Sequence, residues 1–405
     1  MKKRKRAVVT TVAILLVALS VVPWLIYEQP GAMSVVSPYD GNAAPHETTP
    51  NGAQATNITP APSPAPTPTP SPTPPPTPTP TPEPPPAPIP PPVSFGMIDA
   101  HADTISRALL RDQGLHRNNL DVDFARLGEF DAPVQVFVLW CSDRYVANAF
   151  ERTNLMIDFF ESEMEKYSEL IEIALDLEDI IEIAGRGKIS ALLSIEGGEA
   201  LMGKIENLDH FFDRGVRIFA PTWNRENELG YGQATGSQSG LKPFGIEVIQ
   251  KMDQLGMILD VSHLNEAGFW DALEHSTRPF MASHSNSYSM FAHDRNLKDD
   301  MIIAIVERGG IIGFNMYPEI IAKNANAKMS DVMAHFNHFM ELGAENHIGL
   351  GCDFDGIPNK PEDIEDVSSL HKFKERLADE FGVDAAYKIM EWNFYEFFRR
   401  YFNEE

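Results

Sequence analysis

IDAHADT, residues 98–104, places a histidine and two aspartates at the end of what otherwise reads as a buried β-strand. Successive side chains of a strand alternate between its faces, so His101 and Asp103, two apart, share one face. Ionisable groups left unpaired in a core are costly, so a strand that ends this way needs partners from elsewhere in the chain.

From residue 94 onward, short apolar runs alternate with amphipathic stretches in a beat of roughly 25–45 residues, the pattern of repeated β-α units on a parallel sheet. Eight runs read as strands: 96–103, 132–141, 189–198, 215–223, 256–263, 278–285, 309–316 and 347–356. Eight is the number that closes an α/β fold of the (β/α)8 TIM-like barrel type. A short IEIAL run near residue 171 is a candidate extra strand. Helices are predicted over 150–171, over 330–344 with Ser330 capping the first turn, and over the closing segment 384–402, whose aromatics form a core or interface stripe.

Polar residues recur at the carboxyl ends of these strands. His101 and Asp103 close the first, Glu196 the third, His263 the fifth, His284 the sixth and Asp353 the eighth. A single strand histidine is more often a hydrogen-bonded structural residue than a ligand. Six ionisable groups at one barrel end, where βα loops build active sites, are a different matter. Three histidines with three carboxylates suit Zn2+ or a similar divalent ion. One tetrahedral zinc cannot use six groups, so the reading is a two-zinc centre. His101, Asp103 and Glu196 serve one ion, and Glu196, His263 and His284 the other, with Glu196 bridging. Such a pair can share a water, lower its pKa and present hydroxide to a carbonyl.

These residues also carry a resemblance. DAHAD (99–103), SIEGGEAL (194–201), LDVSH (259–263), SHSNSYSMFAHDRN (283–296), FNMYP (314–318) and GLGCDFDG (349–356) resemble, in order and over most of the chain after Phe95, the membrane or renal dipeptidases, metallopeptidases on an amidohydrolase-type barrel. The resemblance implies the same two-zinc assignment, with Glu196 bridging. It further implies cleavage of dipeptides with tolerance for a D-residue at the carboxyl position, Arg295 binding the substrate carboxylate and Asp353 as acid/base, and it is compatible with a homodimer. A guanidinium offers a bidentate fork to a carboxylate; as an alternative, Arg295 is a solvated surface residue. Asp355 is read as a turn residue before Gly356.

One departure concerns the end of the fourth strand. Many members carry L-T-H there, whereas this chain has APTWNRENELGYG (220–232), with Trp223 in the histidine's place and Asn224, Arg225 or Asn227 as replacement donors toward the substrate. YGQATGSQSG (231–240) lacks a G-K-[ST] ending and reads as a mobile rim loop, not a phosphate cradle. His335 and His338 read as surface or packing residues, and Cys352 as a small packing residue.

The beginning of the chain reads differently. Met1–Arg6 holds five Lys/Arg, and the 21 residues 7–27 carry no charge. A run of that length can cross a bilayer, and its basic flank predicts a cytoplasmic N-terminus with the remainder exported. It exceeds the roughly 7–15 apolar residues of a signal peptide, so residues 1–30 are read as a retained single-pass anchor in the cell membrane, with a cleaved signal peptide as the alternative. Residues 31–93 are read as a disordered linker. Within it, 20 of the 33 residues from Pro60 to Pro92 are proline, a composition that favours extended polyproline II with a reach on the order of 100 Å. Residues 94–405 are the barrel domain. They carry 28 basic against 54 acidic residues, a net charge of −26, which argues against nucleic acid as a partner and suits a solvated surface. Two cysteines, Cys141 and Cys352, exclude a disulfide framework.

Together these features predict a membrane-anchored extracytoplasmic zinc dipeptidase acting through a metal-bridged hydroxide. Two rivals are another binuclear-metal amidohydrolase, acting on N-acyl amino acids, lactones or β-lactams, and a non-catalytic wall-associated binding module.

Overall fold

The computed structural model describes residues 93–403. The anchor read over 1–30 and all but the end of the linker read over 31–93 lie outside the described residues. Among the described residues, no helix is long and apolar enough to cross a membrane.

Nine strands form one parallel sheet: β1 (Ile98–Ala102), β2 (Val134–Trp140), β3 (Ile171–Ile173), β4 (Ile189–Glu196), β5 (Val216–Ala220), β6 (Ile258–Leu259), β7 (Met281–Ala282), β8 (Ile311–Phe314) and β9 (Ile348–Leu350). Eight of them run in the order β6-β5-β4-β2-β1-β9-β8-β7, and a bridge between Asp260 and Met281 joins the two ends. This is a nearly closed eight-stranded barrel wrapped by helices. Each of the eight apolar runs supplies one of its strands.

The IEIAL run is the ninth strand. Ile171–Ile173 pair with Ile189–Ala191 at the start of β4, and β5 takes the same edge from Leu193 onward. At eight residues, β4 is long enough to serve both neighbours.

The runs at 256–263 and 278–285 shrink to two-residue strands, and the reason is a side chain. Asp260 Oδ1 accepts the backbone N–H groups of Ser262 (3.0 Å) and Ser283 (2.9 Å), so a carboxylate takes over donors that a longer ladder would satisfy. The barrel seam is thus closed by a buried acid.

Helix boundaries also shift. The 150–171 helix is Ala149–Lys166, because the chain must turn before β3. The later one is Met329–Glu341, and Ser330 does not cap it. Ser330 is an exposed first-turn residue, and the Asp331 carboxylate reaches back to the Lys328 N–H at 2.8 Å instead. The closing helix spans Val383–Asn403 with a π-turn at Lys388–Trp392. That turn buries Glu391, which accepts the Phe95 N–H (3.1 Å) and pairs with Lys374 (2.8 Å), tying the helix to the approach of β1.

Apolar packing separates the two ends of the barrel. Ile98, Val134, Ile258, Met281 and Ile311, each the first residue of its strand, form one buried cluster with Trp392, Phe394, Phe397, Phe398 and Tyr401 of the closing helix. The amino end is therefore plugged with hydrocarbon, which leaves the carboxyl end for polar groups. Between sheet and outer helices lies a second cluster, with Phe137, Leu193, Phe219 and Phe314 among its strand residues.

Two glycines let β8 and the end of β9 approach the chain just after β7. A Cβ on Gly351 would sit 1.8 Å from the Ser283 carbonyl oxygen, and one on Gly313 1.9 Å from it. Backbone that cannot retreat turns such contacts into strain. Gly351→Ala is expected to lower unfolding free energy by about 1–3 kcal/mol, read as a reduced denaturant midpoint at unchanged m-value. An unaltered midpoint would contradict this packing.

Candidate metal centre

Six side chains from five strand ends meet at the carboxyl mouth. His101 lies in β1 with Asp103 just beyond it, Glu196 is the last residue of β4, and His263, His284 and Asp353 follow β6, β7 and β9. His263 (φ 70°) and Asp353 (φ 61°) adopt the left-handed region, uncommon for residues with a Cβ and a mark of a chain bent to aim a side chain. Gly356 supplies room, since a Cβ there would fall 2.2 Å from Asp353 Oδ1 and 2.3 Å from Asp103 Oδ2.

Glu196 Oε1 is the hub. It lies 3.0 Å from His263 Nε2, 3.5 Å from His284 Nε2 and 3.8 Å from His101 Nε2, while Asp103 Oδ2 is 3.6 Å from His101 Nε2. The potential ligand atoms fall into three overlapping triads: His101, Asp103 and Glu196; Glu196, His263 and His284; and His101, His284 and Asp353. The first two coincide with the sets drawn from the strand ends. The third adds Asp353, whose Oδ2 also accepts the Asn315 amide at 3.0 Å.

The donor set fits a metal on a direct observation. His101 Nε2, Asp103 Oδ1 and Glu196 Oε1 are buried and have no hydrogen-bond partner. Buried polar atoms are rarely orphaned, and here three belong to one cluster, with two of them, His101 Nε2 and Glu196 Oε1, 3.8 Å apart. Electrostatics agree. Burial pushes Glu196 well above the usual carboxylate range, with His101 opposing and Asp103 and Asp353 adding to the rise. Burial, Arg295 and His101 hold His263 and His284 well below the ordinary imidazole value. Burial would also depress His101, but the neighbouring Asp103 carboxylate and the charges of Glu196 and Asp353 lift it to about 10. A divalent cation answers all of these, since it takes neutral imidazoles and favours ionised carboxylates.

Residues behind the ligands set their orientation. Asn224 Oδ1 sits 2.9 Å from His263 Nδ1 and accepts the Gln233 amide at 2.7 Å, so it touches the back of a ligand. Ser283 Oγ stands behind both His101 and His284. Asp260, Ser283, Gln233 and Asn315 did not emerge from sequence reasoning. The first two, with Asn315, lay inside quoted motifs, where adjacency to a histidine or an apolar run was the only signal.

The surrounding residues sort by distance from the hub. Arg295 is half-buried with Nη2 donating to the His284 carbonyl (3.3 Å), and it lines a cavity of about 540 Å³ with His263, Ser285, Tyr288 and Trp270. Burial lowers its pKa, and Asp353, Glu196 and Asp260 counter that. Trp223 packs edge-on against Trp140 at 5.0 Å, lies 6.3 Å from the His263 ring and walls a second cavity of about 550 Å³ with Glu199, Arg225 and Asn227. Arg225 is exposed and paired with Asp143, and Asn227 braces its own loop through Pro221 and Leu229. The 231–240 stretch lines the first cavity with Gln233, Gly236 and Ser237, and Asn265 pins it through the Ser237 and Ser239 carbonyls.

Other polar residues have structural partners. Asp355 accepts the Thr104 hydroxyl (2.6 Å) and the Asp121 N–H (2.8 Å). Buried His335 bridges the Ser287 N–H and the Ile321 carbonyl, His338 pairs with Asp299, and Cys141 and Cys352 are buried free thiols.

Known proteins resemble this chain in sequence and fold. A sequence model described as Membrane dipeptidase (Peptidase family M19) matches residues 93–401. An uncharacterized Klebsiella pneumoniae protein from a pqqA 5' region is 33% identical over 49% of this chain and 77% of its own. An uncharacterized dipeptidase of Schizosaccharomyces pombe is 34% identical over 47% of each chain, so this chain spans about half the length of that relative. In fold, a Rhodobacter sphaeroides metallo peptidase, liganded with a phosphinate mimic of L-Ala-D-Ala, superposes with a TM-score of 0.69 at 22% identity, over 76% of this chain and 99% of that one. With a match that runs across nearly all the described residues, the chain belongs to the membrane dipeptidase family, peptidase family M19.

Proposed function

We propose that this chain is a two-zinc dipeptidase held at the outer side of a cell membrane. One observation carries the catalytic part: His101, Asp103, His263 and His284, from three strand ends, gather around Glu196 with orphaned or lone-pair atoms, an arrangement whose cost cations offset. Zinc suits the nitrogen and oxygen donors, and three histidines with two carboxylates supply three ligands for each of two ions when Glu196 is shared. When bound there, such a pair supplies an activated water and Lewis acidity toward a carbonyl.

The protein's own groups do the rest. Arg295 takes the free carboxylate of the substrate, which confines the site to carboxyl-terminal residues. Burial raises Asp353 to about 7, against opposition from His101, so it exchanges a proton near neutral pH and delivers it to the leaving nitrogen. Trp223 borders the substrate on the opposite side as an apolar wall where many relatives place a histidine, while Asn224, read from the sequence as a substrate donor, braces His263 from behind. Tolerance of a D-residue at the carboxyl position is supported by the L-Ala-D-Ala mimic bound to the Rhodobacter protein. The basic flank, the uncharged run 7–27 and the proline-rich linker support an anchored, extracytoplasmic barrel, and a homodimer is part of the same family expectation.

The full chain should hydrolyse dipeptides, L-Ala-D-Ala among them, faster than N-acyl amino acids, lactones or β-lactams. Chelation should abolish the rate and Zn2+ restore it, and metal analysis should find two ions per chain. Full activity after metal stripping, or in Glu196→Ala, would sink the mechanism. Arg295→Met is expected to cost about 2–5 kcal/mol in kcat/KM toward free dipeptides while leaving dipeptide amides little changed; equal losses on both would remove Arg295 from carboxylate binding. On fractionation the full chain should sediment with membranes and be cut by protease added outside the cell. Recovery as a soluble cytoplasmic protein would end the anchored reading.

A further inference from the structure

The outer nitrogens of two ligand histidines converge on one hydroxyl. Ser283 Oγ lies 2.7 Å from His284 Nδ1, 3.1 Å from His101 Nδ1 and 2.5 Å from Asp260 Oδ2. All four residues are buried to within 1% of complete. No solvent is at hand to relax the pattern, so its protons can be counted.

A serine hydroxyl owns one proton and two lone pairs, and an ionised carboxylate only accepts. Asp260 is already an acceptor at Oδ1, where two backbone N–H groups point. Its Oδ2 therefore takes the Ser283 proton. Both lone pairs of Oγ are then left for the two imidazoles, and each ring must donate from Nδ1. A neutral ring protonated at Nδ1 presents a bare lone pair at Nε2, the atom that faces Glu196 Oε1 in both cases. His263 is oriented from behind by Asn224, which accepts from its Nδ1, and its Nε2 lies 2.9 Å from His284 Nε2, so two lone pairs are brought face to face.

We propose that Ser283 and Asp260 are positioning residues that fix the tautomer of His101 and His284 through a single hydroxyl, and so tie together the ligation of both ions. This rests on the two-ion reading above, because His101 belongs to one proposed ion and His284 to the other. The direction of the chain matters more than its presence. Asp260→Asn keeps the shape and leaves the Oδ1 acceptor in place, but turns its other atom into a donor. The Ser283 proton must then go to one of the imidazoles, and that ring carries its own proton on Nε2, where it cannot bind a metal.

The test uses the full chain, stripped and titrated with Zn2+ or Co2+, with stepwise affinity, the Co2+ absorption spectrum and ring 15N shifts as readouts. In the zinc-loaded wild type both His101 and His284 should carry the proton on Nδ1; either ring found metal-bound through Nδ1 overturns the proposal without any variant. Ser283→Ala should weaken both ions, each by about 10- to 100-fold, whereas Asp260→Asn should weaken one ion by a similar factor and spare the other. Unchanged affinities and spectra in both folded variants would also overturn it. A wild type that binds fewer than two ions defeats the two-ion reading itself, which separates the two failures.

Discussion

Glu196 Oε1, with three imidazole nitrogens within 3.8 Å and no hydrogen-bond partner, is the point on which the architecture turns. Side chains that each want a charge or a proton have been withdrawn from water and aimed at one another. In a chain without cations the cluster is a standing cost: burial pushes Glu196 up and pulls His263 and His284 down. The fold tolerates that cost because the rest of the barrel is apolar and rigid. Hydrocarbon fills the amino end, the closing helix plugs it, Gln135 donates to Asp99 within the strands, and the ionisable cluster gathers where strands give way to loops.

Holding such a cluster calls for unusual backbone. Gly351 and Gly313 allow the end of β9 and β8 to approach Ser283, Gly356 clears space beside Asp103 and Asp353, and left-handed turns at His263 and Asp353 aim two of the six side chains. At the seam, Asp260 has a double task. It replaces missing ladder acceptors between β6 and β7, and it takes the Ser283 proton on which two ligand tautomers depend. Closure of the barrel and preparation of its ligands are one hydrogen-bond network. Two cavities open nearby, one lined by Arg295 and His263 and one walled by Trp223.

Much of this was legible in the sequence. Buried parallel strands are near-continuous apolar runs, so all eight staves of the barrel showed themselves, and their polar ends stood out against the hydrocarbon. His101, Asp103, Glu196, His263, His284 and Asp353 were readable for that reason, and the structure brings them together. Strand length was not readable at β6 and β7, because a carboxylate three positions short of His263 takes the place of the ladder. The edge shared by β3 and β5 on β4 was hidden too, since pairing is a property of two segments and a run of apolar residues does not name its neighbour. Ser330 looked like a cap, but it lies one residue inside the helix, and Asp331 accepts the Lys328 N–H instead.

By itself the sequence determined the fold class, the end of the barrel that carries the chemistry, and the kind of atoms that meet there. Periodicity and the chemistry of side chains are local properties, and they survive in a one-dimensional reading. Only the tertiary structure decided that Ser283 Oγ stands between two imidazoles, that Asn224 faces His263 rather than standing free, and that Asp355 is spent on Thr104 and Asp121. Those are facts about the direction of single hydrogen bonds between residues up to 251 positions apart. Such directions are fixed by packing to a fraction of an ångström, which no local pattern encodes.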